Sequence, residues 1–114
     1  MKRLRRQRPF LESILSESNH FKRQELLEHA NGDQINMISE MTLNLLKKRI
    51  PIQPSTLAKL KRHKDVLREL AKRKNSLKRR REHLKKQNGS GFWKGLRECF
   101  EVCRLTLETK TDTH

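Results

Sequence analysis

A long basic stretch, residues 55–87, constrains the fold of this chain more than any other feature. It reads STLAKLKRHKDVLRELAKRKNSLKRRREHLKKQ and contains neither Gly nor Pro, the two residues that most often interrupt helices. Ser55 can cap a helix at its start, and Pro54 and Gly89 flank the stretch. Three leucines spaced by sevens stay near one helical face, and they are Leu70, Leu77 and Leu84. The pattern predicts one long helix with a narrow apolar stripe.

The charge of this stretch indicates an anionic partner. Between Thr56 and Gln87, 14 Lys and Arg residues stand against 3 acids, a net charge of +11, and the whole chain of 114 residues carries +15. Excess positive charge repels itself unless a partner neutralises it, and nucleic acid is the commonest such partner. An acidic membrane surface or an acidic protein is the second choice. An apolar content of 32% limits the chain to one small core.

Outside the basic stretch, the sequence predicts a helical head, a basic arm before it and an amphipathic tail at the C-terminal end. Residues 9–50 are nearly neutral, and their apolar spacing predicts helices over 9–16, 20–30 and 34–49. Ser18 or Asn19 is expected to cap the second of these helices and Asp33 the third, and Phe21 is expected to face inward. The remaining segments are a solvated basic arm (1–8), a connector (51–54), a flexible joint (88–91) and an amphipathic tail with a disordered end (92–114). The predicted class is all-α: a head of two or three short helices, one long basic helix and a short amphipathic tail.

The basic side chains of the long helix are the candidate nucleic-acid contacts, because phosphate binding needs many cations at helical spacing. The predicted contacts are Lys59, Lys61, Arg62, His63, Lys64, Lys72, Arg73, Lys74, Lys78, Arg79, Arg80, Arg81, Lys85 and Lys86. The arm supplies accessory contacts from Lys2, Arg3, Arg5, Arg6 and Arg8. Few Asn or Gln side chains lie among them to read bases, so sequence-tolerant binding is expected. Stacking on single strands is not expected, because almost all the aromatic residues lie outside these segments.

Other interpretations of the same residues remain open. The string from Lys72 to Arg81 also fits a nuclear localisation patch, which indicates a nuclear protein, and a charged helix can be merely solvated. The three spaced leucines can instead form a coiled-coil seam with a protein partner or a second copy, although Lys74 and Arg81 interrupt the neighbouring row. A tail lying on a membrane surface, or acylated at a cysteine, is a third interpretation. The sequence does not separate DNA from RNA.

No motif predicts catalysis, a metal or a cofactor. The chain has no Gly-rich phosphate loop, no nucleophile motif and no carboxylate pair of the catalytic kind, so we expect it not to be an enzyme. Cys99 and Cys103 show no fixed spacing to any His and offer no disulfide framework, which favours a reducing, intracellular compartment. No apolar run approaches the roughly 18 residues of a membrane span, and no secretory signal follows the basic start.

Four sequence blocks carry a resemblance to a known family. They are KRLRRQRPFLESIL, KRQELLEHA, QINMISEMTLNLL and IPIQPSTLAKLKRHKDVLRELAKRKNSLKRRREHL, and together they span about Lys2 to Gln87. In their order and spacing the chain resembles the small basic proteins encoded by the virus-like DNA transposons called Polinton or Maverick elements, and by adintovirus-like genomes. The resemblance implies a virion-associated, DNA-condensing role similar to that of the basic core peptides of adenovirus-like particles.

The resemblance also implies which residues contact DNA, and where the chain departs from the family. The residues carried over are Lys59, Lys61, Arg62, His63, Lys64, Lys72, Arg73, Lys74, Lys78, Arg79, Arg80 and Arg81. Where the family has a Gly-Gly-apolar tail, this chain reads GSGFWKGL. That departure argues against a membrane-active or capsid-lytic tail. It would fit a domesticated or decayed copy whose reading frame runs into unrelated sequence after Leu96.

Overall fold

Helices joined by short turns make up most of the part of the chain that the structure describes. This computed structural model describes residues 2–87 and 90–112, with the side chains of residues 3, 5–87 and 91–105. The helices are α1 (Lys2–Arg6), α2 (Arg8–Ser16), α3 (His20–Glu28), α4 (Gly32–Leu46), α5 (Pro54–Lys61), α6 (Lys64–Ala71), α7 (Leu77–Lys85) and α8 (Ser90–Asp112). No strand occurs within these described ranges, and the predicted all-α class is confirmed.

One core joins the segments that the sequence separates into head, basic helix and tail. Helix α4 packs on α6, α7 and α8, while α2 and α5 also pack on α8, and α3 packs on α7. The radius of gyration is 13.3 Å, close to the roughly 13 Å of a compact domain of 100 residues. The largest fully buried side chains come from five helices, and α3 and α5 contribute one each, Leu27 and Leu60. The others are Trp93, Phe92, Phe100, Leu11, Ile14, Ile35, Met37, Ile38 and Met41.

The stretch predicted as one long helix is divided into α5, α6 and α7. The first interruption is a turn at Arg62 and His63, and the second covers residues 72–76. No apolar residue lies between Lys72 and Ser76, so this segment gains nothing by packing on the core. Its polar side chains stabilise the break instead: Asn75 Nδ2 donates to the Glu69 carbonyl at 2.8 Å, and Ser76 Oγ accepts from the Arg79 amide at 3.1 Å.

Burial of the leucine stripe explains why the breaks are favourable. In a straight helix, Leu60 and Leu84 would lie about 36 Å apart, at 1.5 Å per residue. The whole molecule is only 38 Å in its longest dimension. Folding the stretch back at its two breaks lets Leu60, Leu70 and Leu84 share one core, with exposures of 1%, 0% and 0%. The second half of the stretch therefore packs on the core through Leu84, whereas Leu77 is 37% exposed.

The C-terminal tail is a core helix. Phe92, Trp93, Leu96 and Phe100 of α8 are all at least 98% buried, so this face is covered by the other helices. The guanidinium of Arg23, on α3, lies 4.8 Å from the centroid of the Trp93 ring, a cation–π contact inside the protein.

The boundaries predicted around this helix change accordingly. The predicted joint extends over residues 88–91, but Ser90 and Gly91 already belong to α8, and Asn88 and Gly89 lie outside the described residues. The helix also continues through most of the end that was predicted to be disordered, as far as Asp112; residues 113–114 lie outside the described part.

The head follows its predicted helices closely but not all of its predicted details. Asn19 caps α3 as expected, with its side-chain oxygen accepting from the amides of residues 21 and 22 at 2.9 and 3.1 Å. Asn31, not Asp33, caps α4, in a reciprocal capping box with Gln34. The expectation that Phe21 faces inward is wrong, because its side chain is 78% exposed.

Candidate nucleic-acid interface

The turn between α5 and α6 presents the first group of predicted contacts. Lys61, Arg62 and Lys64 are exposed, and Lys59 is half-exposed. Among the described residues, no hydrogen bond or ion pair joins these four side chains to an acid. His63 differs from them, since its ring is half-buried and packs edge-on against Phe92 with 5.5 Å between centroids. His63 therefore contributes to the packing of α8 against the turn between α5 and α6.

The segment between α6 and α7 presents the second group, arranged around Glu69. The Glu69 carboxylate accepts from Lys72 Nζ at 3.1 Å and from Asn75 Nδ2 at 2.9 Å, and Arg79 lies 3.7 Å from it. The hydrogen bond from Lys72, followed by that from Asn75, lowers the pKa of the Glu69 carboxyl below its ordinary value. One acid thus holds two of the predicted contacts. Neighbouring Arg73 and Lys74 are exposed and have no acidic partner in the described part of the chain.

Helix α7 divides its basic residues between solvent and the core. Lys78 and Arg79 are exposed in the first turn, and Lys86 is exposed just beyond the last. Arg80, in contrast, is only 4% exposed, and its Nη1 donates to Ser39 Oγ at 2.7 Å and to Asn36 Oδ1 at 2.9 Å. Burial lowers the pKa of the Arg80 guanidinium, helped by the charge of nearby Arg73. This geometry removes Arg80 from the surface and contradicts its predicted role as a phosphate contact.

Two more predicted contacts hold α7 to the head. Arg81 Nη2 donates to the Ala30 carbonyl at 2.7 Å. Lys85 Nζ lies 2.7 Å from a Glu28 carboxylate oxygen, and this hydrogen-bonded pair raises the pKa of Lys85 and lowers that of Glu28. Both cations are half-buried. They join α7 to α3 and to the turn that follows α3, so both cations already have partners within the protein.

The predicted basic arm also turns inward. Arg3 Nε and Arg6 Nε lie 3.0 and 3.1 Å from the carboxylate oxygens of Asp33, and Arg3 Nη1 lies 3.2 Å from Glu40. Arg8 pairs with the acid one turn later, Glu12, at 2.9 Å. Arg5 is exposed, and the side chain of Lys2 lies outside the described residues. The expectation of a wholly solvated arm is wrong, because α1 and the start of α2 are tied to acids of the head and of α2.

The cysteines lie within the core. Cys99 and Cys103 are both free and buried, and burial raises their pKa values to about 12 and about 11.

No group of three or more His, Cys, Asp or Glu side chains suited to a metal occurs in the described part of the chain. Within the same part, no helix is long and apolar enough to cross a membrane.

Two exposed cations that sequence reasoning left out lie near the predicted contacts. Arg68 is exposed on α6, one turn after Lys64, and Lys48, exposed just after α4, lines one groove with Lys61 and Lys64. The helical spacing of Lys61, Lys64 and Arg68 was a signal for a shared face, since residues three and four apart are neighbours on a helix. Lys48 has no such signal, because only the packing of α4 on α6 brings it near.

Comparison with known proteins adds no further constraint. No protein-family model matches this chain, and no curated protein or solved structure shows significant similarity to it.

Proposed function

We propose that this protein binds nucleic acid through its phosphates, largely without regard to sequence, and condenses it. The observation that carries the proposal is the set of predicted contacts that remain exposed or half-exposed without an acidic partner in the described residues. They are Lys59, Lys61, Arg62, Lys64, Arg73, Lys74, Lys78 and Lys86. They lie on three consecutive helices and the turns between them, within a chain of net charge +15. Releasing condensed counterions from the phosphates would supply the free energy of binding.

Sequence tolerance follows from the chemistry of these side chains. Lys and Arg on a surface contact phosphate oxygens readily, whereas base reading requires a set of side chains directed into one groove. Asn75 is bonded to Glu69, which leaves few amides among these cations. A virion location is favoured by the family resemblance alone, as is DNA over RNA, whereas a nuclear location is also favoured by the basic string from Lys72 to Arg81.

A salt series on a random-sequence duplex tests the function. We expect log affinity to fall with log salt at a slope that implies roughly six or more phosphate contacts, at about 0.9 per contact. Weak binding with little salt dependence would refute the proposal. A parallel series with duplex RNA of the same sequence separates the two nucleic acids, and light scattering at increasing protein-to-DNA ratio measures condensation.

Two double charge-reversal variants test whether the predicted contacts, and not the net charge alone, bind nucleic acid. Arg73→Glu/Lys78→Glu should weaken binding and reduce the slope by about 1.8, the value for two contacts. The control, Lys22→Glu/Lys94→Glu, makes the same change in net charge at exposed positions on α3 and α8. Equal losses in both variants would mean that binding follows net charge and not this surface.

A substitution at Glu69 is expected to raise the affinity for nucleic acid instead of lowering it. Glu69→Gln should raise affinity and steepen the salt slope, because it releases Lys72 and Arg79 for phosphates. Asp65→Asn is the matched control, since it removes one negative charge from an exposed position of the same helix. If both variants gain equally, Glu69 acts only through the general field of the protein.

The rival function, a helix–helix seam with a protein partner, has less support. It requires Leu70, Leu77 and Leu84 on one exposed helix, but Leu70 and Leu84 are fully buried in this fold and lie on different helices. Sedimentation without nucleic acid tests it. A dimer that dissociates on Leu77→Glu would favour the seam.

A further inference from the structure

An apolar groove rimmed by cations lies where the end of α4 meets α5 and α6. Its volume is about 700 Å³, within the range of about 300–1,000 Å³ typical of ligand pockets. Leucines form its floor, and two of them, Leu46 and Leu57, are half-buried, so part of their surface faces the opening. The groove therefore offers apolar area that the fold itself leaves uncovered.

The rim of the groove carries one sign of charge. Its charged lining residues are Lys48, Lys61, Lys64 and Arg68, and no Asp or Glu lines it among the described residues. The ion pairs of the described chain involve other cations, so these four have no acidic partner there. A complementary occupant presents apolar side chains to the floor and several negative charges to the rim.

We propose that this groove binds an acidic amphipathic helix of a partner protein. Such a helix places leucine-like side chains at i, i+3, i+4 and i+7 on one face and carboxylates on its flanks, which matches an apolar floor between cations. A single fatty-acid carboxylate would leave most of the rim unneutralised. A nucleic acid would neutralise the rim but would leave the leucine floor uncovered. The groove shares Lys61 and Lys64 with the proposed phosphate contacts, and its leucine floor distinguishes it from the rest of that surface.

Two synthetic peptides of about 16 residues supply the probe. The first has leucines at i, i+3, i+4 and i+7 on one face and glutamates on the others. The second has the same composition and charge, with its leucines distributed around the helix. We expect the full-length protein to bind the first peptide at least tenfold more tightly, measured by fluorescence anisotropy. Equal binding of the two would overturn the proposal, because it would mean simple charge attraction.

A pair of double variants locates the peptide. Lys48→Asn/Arg68→Gln removes two rim cations that the nucleic-acid proposal does not use. Asn suits the site of Lys48, whose φ of 57° is in the left-handed region. We expect about a twofold to thirtyfold loss of peptide affinity, the range for two exposed ion pairs. Arg73→Gln/Lys78→Gln, which lies away from the groove lining, should leave peptide affinity unchanged and weaken duplex binding.

The variants also keep this proposal separate from the function proposed above. Loss of peptide binding in the Arg73→Gln/Lys78→Gln variant alone would overturn the groove and leave the nucleic-acid surface standing. A charge-neutral variant, Leu57→Gln, tests the floor, and unchanged preference for the one-faced peptide would also overturn the site. Binding to vesicles of phosphatidylglycerol and phosphatidylcholine that falls with the Lys48→Asn/Arg68→Gln change, without any preference between the peptides, would identify a lipid surface as the partner instead.

Discussion

The close approach of α8 to α5 at Gly95 predicts an unusual response to a helix-favouring substitution. A Cβ atom at this position would stand 2.5 Å from Leu60 Cδ2 and 2.8 Å from Leu60 Cγ. Leu60 is 1% exposed, so its side chain has little room to move away. Ala in place of Gly stabilises a helix interior by about 1 kcal/mol, whereas overpacking a core costs about 1–3 kcal/mol. We therefore expect Gly95→Ala to lower the free energy of unfolding by about 1 kcal/mol.

Gly91 is a control in the same helix, one turn earlier. The nearest atom to a Cβ there is His63 Nε2 at 3.8 Å, an ordinary van der Waals distance. Gly91→Ala should therefore be neutral or stabilising. Urea unfolding followed by the fluorescence of Trp93, the only tryptophan, measures both variants. The expected thermal shift for Gly95→Ala is a decrease of roughly 4 °C.

A double-mutant cycle identifies the contact itself. Leu60→Ala alone should cost about 2–5 kcal/mol, because it leaves a cavity in the core. Added to Leu60→Ala, the Gly95→Ala change should be stabilising, so the double variant should be at least about 1 kcal/mol more stable than the sum of the single effects. If Gly95→Ala stabilises the protein as Gly91→Ala does, with no coupling to Leu60, then α8 does not pack on α5 and the single-core fold is refuted.

Three further predictions test other parts of the fold. Arg80→Ala should destabilise the protein by about 1–3 kcal/mol in urea unfolding, because buried polar partners lose their hydrogen bonds, whereas Lys78→Ala should change stability by less than about 0.5 kcal/mol. Asp33→Asn should lower the melting temperature at pH 7, because hydrogen bonds from Gln7 and then Arg6 depress the pKa of the Asp33 carboxyl in the folded state. The stability that this carboxylate contributes is present above the ordinary pKa of 3.8 and is lost as the pH falls below it. The difference from wild type should vanish in melts at acidic pH; a constant difference would contradict this. Cys99 and Cys103 should react with a thiol reagent at pH 8 only when the protein opens, because their side chains are 0% and 2% exposed. Burial also raises their pKa values to about 12 and about 11, which lowers the thiolate fraction; rapid labelling of the native protein would refute their burial.

The head shows what the sequence could predict. The apolar spacing of Leu11, Ile14 and Leu15 identified the buried face of α2, and all three are at least 94% buried. The cap at Asn19 followed from its residue type and position. These features depend on local chemistry, which a short window of sequence contains. The prediction for Phe21 was wrong because the apolar residues of α3 do not share one face. The packing of α3 on α7 and α2 covers Leu27 and leaves Phe21 exposed.

The breaks in the basic stretch carried a local signal that charge patterning concealed. Asn75 and Ser76 are residues that favour turns and helix starts, and both act in those roles. Because the stretch contains neither Gly nor Pro, its sequence predicted one uninterrupted helix. The deciding factor is not local: only a chain that folds back can bury Leu60 and Leu84 together, and this gain depends on a core built from other helices.

Helix α7 shows why a run of basic residues cannot be counted as a run of contacts. Arg80 lies four residues before the fully buried Leu84, so the two side chains share one face of the helix. Lys78 and Arg79 lie on the other faces and remain exposed. Burial of Leu84 therefore favours burial of Arg80, but the helical period alone does not decide it, because Leu77 shares the same face at the start of α7 and is 37% exposed. The missing information was therefore which leucine faces the core, and it determines which cations a polyanion can reach.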